Sequence, residues 1–143
     1  MYLEVGNGGF GPGYGILGLR GGHGPGTGGT AIDLYREAHG TRSAQWSFLP
    51  VNLLPLCGWG CAIYSFADCS RPEGPMRAWD PNGGPTGREA LFPQWFTLAE
   101  WLDRWVSGRL YQPLLVWDPA MWQWRSATDE EWAQQLAELD DPM

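Results

Sequence analysis

Apolar side chains recur along this chain at two different periods, and the changes of period mark out the elements. Leu98, Trp101, Leu102 and Trp105 fall at i, i+3, i+4 and i+7, the spacing of one helical face. Thr97 stands just before that run with Glu100 three residues on, a capping box, and Gly108 supplies the stop. Glu100 and Arg104 are expected to pair at i, i+4 on the outer side of this helix. Thr128 and Glu131 repeat the capping box and open a last helix with Trp132, Leu136 and Leu139 on its inner face. A shorter helix is expected from Ala31 to about Ala38, capped by Thr30, ended by Gly40, with Ile32 and Tyr35 on one side.

Between the helices the pattern changes to that of strands. Asn52 to Cys57, Cys61 to Phe66 and Met76 to Trp79 read as three of them, and Pro55 confines the first to a sheet edge or a bulge. Gly58-Trp59-Gly60 reads as the hairpin turn between the first two, Asp68 to Pro75 as the next turn, and Asp80 to Gly84 as a chain reversal. Leu114 to Trp117 reads as a buried strand, Asp118-Pro119 as a turn, and Trp122 to Trp124 as the returning arm. Strands and helices mix without regular βαβ alternation, so the expected class is α+β, in a single domain over residues 1–143.

One segment breaks both periods. Thirteen of the 24 residues from Gly6 to Gly29 are glycine, yet Phe10, Tyr14, Ile16, Leu17 and Leu19 lie among them. A flexible linker carries no such anchors, so the glycines read as turns and close approaches around a strand from Tyr14 to Leu19, followed by a loop over residues 21–29. The segment matches G-x-G-x-x-G at Gly6, Gly8 and Gly11 and again at Gly24, Gly26 and Gly29. The first match runs into Pro12 and Gly13 instead of a helix, and the second contains Pro25 and lacks a downstream acid for a ribose. Turn structure is the better reading of both.

Composition narrows the function. Hydrophobic residues make up 43% of 143 and aromatics 14%, including ten Trp, enough for a real core and too apolar for a disordered chain. The sequence has no 18-residue apolar run and no signal-peptide pattern, so a cytoplasmic protein without a membrane partner is expected. All nine basic residues are Arg. Without lysine there is no P-loop, Schiff-base or Ser-Lys chemistry. A net charge of −7 argues against direct nucleic-acid binding. Six acids, Asp129, Glu130, Glu131, Glu138, Asp140 and Asp141, fall within residues 129–143, an acidic helix and tail.

Candidate chemistry is thin. Cys57, Cys61 and Cys69 are spaced too widely for paired zinc ligands, and His23 and His39 sit in or near Gly-rich loops, so buried structural cysteines are expected. Asp68 with Glu73, and Asp80 with Asp118, lie at turns beside Pro or Gly, where Asp serves local backbone hydrogen bonds. Ser65 has no nucleophile-elbow context. The expectation is a binding protein, not an enzyme, with no cofactor and no metal. Trp59, between two glycines, and Trp122, beside a turn, are the aromatic contact candidates, and Asp129, Glu130, Glu138, Asp140 and Asp141 the acidic ones.

Five segments in order carry a family resemblance. GNGGFGPGYGILGL from Gly6, LPLCGWGCAIY from Leu54, WDPN from Trp79, FTLAEWL from Phe96 and GRLYQP from Gly108 resemble the SUKH superfamily, the Smi/Knr-type proteins, collinearly from about Glu4 to Arg125. The resemblance implies a non-enzymatic α+β domain. In bacteria it implies an immunity protein that neutralises a polymorphic or contact-dependent toxin, often a nuclease, by direct binding. Eukaryotic relatives act in cell-wall and signalling regulation, and the absence of Lys, with its A-rich codons, fits a high-GC bacterium better. A non-toxin interaction or ligand-sensing module of the same fold is the second expectation. Such proteins usually carry a helical segment ahead of the Gly-rich stretch, and only five residues precede Gly6, so that part of the family core is expected to be missing.

Overall fold

Alternating β-prone segments joined by short turns build a four-stranded antiparallel meander at the centre of the chain. The computed structural model describes residues 7–24, 29–40 and 46–139. The strands are β1 (Leu53–Gly60), β2 (Ile63–Asp68), β3 (Pro75–Trp79) and β4 (Leu91–Thr97), hydrogen-bonded in sequence order. Helix α1 (Ala31–His39) precedes them and α2 (Leu98–Val106) follows β4 directly. A two-stranded ribbon, β5 (Leu115–Asp118) and β6 (Gln123–Ser126), leads into α3 (Asp129–Leu139). The chain is a single small α+β domain.

Each face of the meander is covered by one helix, which gives two apolar clusters. On one side Ala31, Leu34 and Ala38 of α1 pack with Trp46, Phe66, Trp79 and Phe92. On the other, fully buried Trp101 of α2 packs with Leu56, Cys57, Ala67 and Met76. The α1 face thus runs through Ala31, Leu34 and Ala38, while Ile32 and Tyr35 are only half-buried. The i+3 spacing of the larger residues pointed to the wrong side because small alanines flank the leucine that enters the core.

Pro55 acts as its sequence context requires. It lies on the edge strand, and the register of β1 against β2 slips between Pro55 and Cys57. The turn lies elsewhere than expected. β1 runs on through Trp59 and Gly60, and Gly60 pairs with Ile63 across a two-residue loop, Cys61-Ala62. Both loop residues hold positive φ, 49° and 63°, the pattern of a type I′ turn without the usual Asn or Gly.

The Gly-rich segment is not a regular strand. Isolated bridges join Gly9 to Ile16 and Ile16 to Cys57, and Leu17 N–H donates to Leu56 C=O, so the segment lines the β1 edge. Asn7 organises it: its Oδ1 accepts from Leu19 N–H at 2.6 Å, and its own carbonyl accepts from His23 N–H. A Cβ on Gly8 would lie 2.4 Å from Gly18 N, at φ 77°, so glycine is required there. Part of the expected loop over residues 21–29 lies outside the described residues, and with it Gly26 of the second G-x-G-x-x-G match.

β4 breaks the pattern expected of the sequence. Residues 94–96 face Met76 alone, between the pairs Arg77 with Pro93 and Pro75 with Thr97, and Trp95 at the apex holds φ 64°. Pro93 removes a ladder donor and the bulge removes the alternation, so the run carries no period-2 signal. Both capping boxes form as read: Thr97 accepts from Glu100 N–H and Thr128 from Glu131 N–H, while each Glu accepts from its Thr N–H. Arg104 does not pair with Glu100 on the outer side. It reaches Asp129 instead, at 3.0 Å.

Candidate functional site

The ribbon β5–β6 is fixed to the body by one buried carboxylate. Asp80, at the end of β3, accepts Leu115 N–H through Oδ2 and Asn82 N–H through Oδ1, and Asn82 Nδ2 reaches back to Cys61 C=O. Asp80 therefore makes the local turn bond its context suggested, to Asn82, and beyond that reading also joins the two sheets through Leu115. At the ribbon's far end Asp118 accepts from Ala120 and Met121 N–H and from Arg125 Nε. The Met121 amide first, and then Arg125, holds the Asp118 carboxyl below the usual carboxylate range.

The ribbon so held displays tryptophan. Trp117 and Trp124 are cross-strand partners with ring centroids 5.6 Å apart, and Trp122 stands edge-on to Trp117 at 5.3 Å. Trp122 is 78% exposed, Trp117 40% and Trp124 38%, with exposed Met121 beside them. Trp124 rests on Gly84, where a Cβ would come within 3.1 Å of the indole. Trp122 holds φ 53°, a left-handed conformation that costs an L-residue about 1–2 kcal/mol. Trp95, 81% exposed at the β4 bulge, does the same. Two of the most exposed aromatic rings thus stand on strained backbone.

Between the β4 bulge, residues 109–113, β6 and the start of α3 lies a cleft of about 550 Å³. Arg104 lies 4.2 Å over the Phe96 ring and donates through both terminal nitrogens to Asp129 Oδ2. Arg125 donates to Glu131 through both terminal nitrogens, at 2.8 and 2.6 Å, and holds the Glu131 carboxyl down to about 2. Tyr111 and Trp132 stack across the cleft at 6.2 Å and an interplanar angle of 18°. Gln94, 5% exposed, borders the same space, and its Oε1 is buried and meets no donor among the described residues.

The predicted contact residues separate. Trp59 is half-buried, donates Nε1–H to Ser65 Oγ at 2.9 Å and stands edge-on to Trp101, so it belongs to the core of the α2 face. It extends β1 in place of forming a turn, which is why it turns inward. Trp122 is exposed, as are Glu130 and Glu138, while Asp129 is tied to Arg104. Asp140 and Asp141 lie outside the described residues, as does the side chain of Leu139. Trp132 is only half-buried and Leu136 is 44% exposed, so the expected inner face of the last helix is lightly covered. Trp95, Trp117 and Trp124 were missed: the bulge hid the first, and the continuous apolar run around Trp117 looked like a buried strand.

The thiols do not converge. Cys57 is buried, hydrogen-bonded to Pro12 C=O and pushed up to about 12 by burial, an inert group. Cys61 and Cys69 are exposed, against expectation, at opposite ends of β2, which its length sets about 20 Å apart. Ser70 and Asn52 donate to Asp68 and lower its pKa, as in a turn carboxylate. Among the described residues no three His, Cys, Asp or Glu side chains gather where they could hold a metal ion. No helix among them is long and apolar enough to cross a membrane. No family model, curated protein or solved structure matches this chain.

Proposed function

We propose that this chain is a protein-binding immunity protein, docking a toxin through the tryptophan ribbon β5–β6 and the acidic first turn of α3. The observation that carries the binding role is the set of three exposed indoles in which Trp122 and Trp124 both pack on Trp117. Trp is the residue most enriched at interface hot spots, and an exposed aromatic patch on a folded domain marks an interaction site. The rings are held by edge-to-face contacts, so little side-chain freedom is lost when a partner covers them.

The choice of a toxin as partner rests on the resemblance of the five segments, and the net charge of −7 supports it. Toxins that grip nucleic acid are basic, and Glu130 and Glu138 together with the tail acids attract them electrostatically. Binding in this reading is stoichiometric and non-catalytic. Co-expression with the toxin encoded beside this gene should protect cells and yield a complex that co-purifies. A neighbouring toxin neither bound nor neutralised overturns the toxin assignment and leaves the non-toxin interaction module.

A further inference from the structure

We infer that residues 110–114 form an open strand edge on which an extended segment of the partner pairs its main chain. The inference rests on the protein-binding reading above and names how the partner enters the cleft beside the ribbon. These residues lead into β5 without helix or turn. β6 ends at Ser126, and past it only the Ala127 amide still meets this stretch, at Leu114 C=O, 3.0 Å away. The amides of Leu110, Tyr111, Gln112 and Leu114 meet no acceptor among the described residues, and the carbonyls of Leu110, Tyr111, Gln112 and Pro113 meet no donor there. Leu110, Tyr111 and Gln112 are half-buried, and they line the cleft together with buried Pro113. Main-chain groups withdrawn from water call for partners, and a row of unpaired ones continuing a strand is a template for another chain.

The side chains around this edge suit a ligand that both donates and accepts. Trp95, Tyr111, Gln112 and Trp132 bring donors without acceptors among the described residues. Glu130 and the open Oδ1 of Asp129 bring acceptors. The lining arginines Arg104, Arg109 and Arg125 are each held by a carboxylate, so they do not single out an anion. A carboxylate only accepts and a guanidinium only donates, whereas a polypeptide main chain carries a donor and an acceptor at every residue but proline. In strand addition the main chain supplies the hydrogen bonds and the walls receive alternate side chains. Those walls are the parallel Tyr111–Trp132 pair and the exposed Trp95. Arg125 and Ser126 of β6 border the cleft, so a segment paired here continues the surface of the tryptophan ribbon.

The test needs no partner protein. The full chain is titrated with the strand-forming blocked peptide Ac-Thr-Val-Thr-Val-Thr-NH2 and with the same peptide N-methylated at both valines, and amide hydrogen exchange is followed by NMR. The unmodified peptide should slow exchange at two or more of the Leu110, Tyr111, Gln112 and Leu114 amides by about fivefold or more at saturation, and the N-methylated peptide should not. Gln112→Pro deletes an amide that bonds to no other group of the free chain, so it should keep the unfolding midpoint and weaken the peptide about two- to tenfold. Should that variant unfold, the two peptides decide alone. Equal slowing by the N-methylated peptide, unchanged affinity in a folded Gln112→Pro variant or no slowing at all overturns the open edge. Protection that grows with protein concentration in the absence of peptide assigns the edge to a second copy and overturns the partner as its occupant. Each such failure leaves the toxin-binding reading standing, because that reading is tested by co-purification.

Discussion

Asp80 joins the two sheets through hydrogen bonds to Leu115 and Asn82, and it is 2% exposed. Asp80→Ala leaves the Leu115 and Asn82 amides without their acceptor and should cost about 2–4 kcal/mol, read as a lowered urea midpoint. Glu131 gives a pH signature. Its ordinary value is 4.5 and Arg125 holds it at about 2 in the folded chain. A carboxyl depressed on folding adds stability that is present above the unfolded value and is lost as pH falls through the folded one. Unfolding midpoints should therefore decline between about pH 4.5 and 2, and Glu131→Gln should flatten that decline. A variant with the wild-type pH profile contradicts this. The capping context revealed Glu131, and the turn context revealed the bond of Asp80 to the Asn82 amide two residues on, but not its bond to Leu115 from a distant segment. Arg125, Gln94 and Trp95 were not legible in the same way, since their roles depend on elements that meet only in the folded chain.

At the scale of elements, the turn Cys61-Ala62 places two L-residues at positive φ. Replacing Cys61 by Asn together with Ala62 by Gly supplies the residues this turn favours and should raise stability by about 1 kcal/mol in urea unfolding. Loss of stability would contradict the turn assignment. Helix starts were legible throughout, because Thr30, Thr97 and Thr128 each cap their helix with an acid three residues on. β4 was not, because Pro93 and a bulge erase the alternation that marks a strand. The glycines flanking Trp59 suggested a turn, whereas glycine within the edge strand admits close neighbours: Tyr64 lies 3.2 Å from where a Gly58 Cβ would sit. The same blindness concealed the ribbon's exposure. A run such as Leu114 to Trp117 looks buried by composition, and only the geometry puts Trp117 outside.

For the whole molecule, one helix on each side of the meander leaves the ribbon and α3 beside the two cores. Trp117, Met121, Trp122, Trp124 and Leu136 are exposed on these two elements, next to acids that the α3 sequence concentrates in its first turn, while Phe10, Val51, Trp95 and Val106 are exposed elsewhere. A partner covering the ribbon would complete the burial that the two clusters begin. The most direct measurement of this account is the dissociation constant of the chain for the toxin encoded beside its gene, compared with a variant carrying Trp117→Ala and Trp122→Ala. The wild type should form a one-to-one complex, and the double variant should bind at least about tenfold more weakly while keeping its circular dichroism and unfolding midpoint. A folded double variant that binds the toxin as tightly as the wild type would contradict the assignment of the tryptophan ribbon as the docking surface.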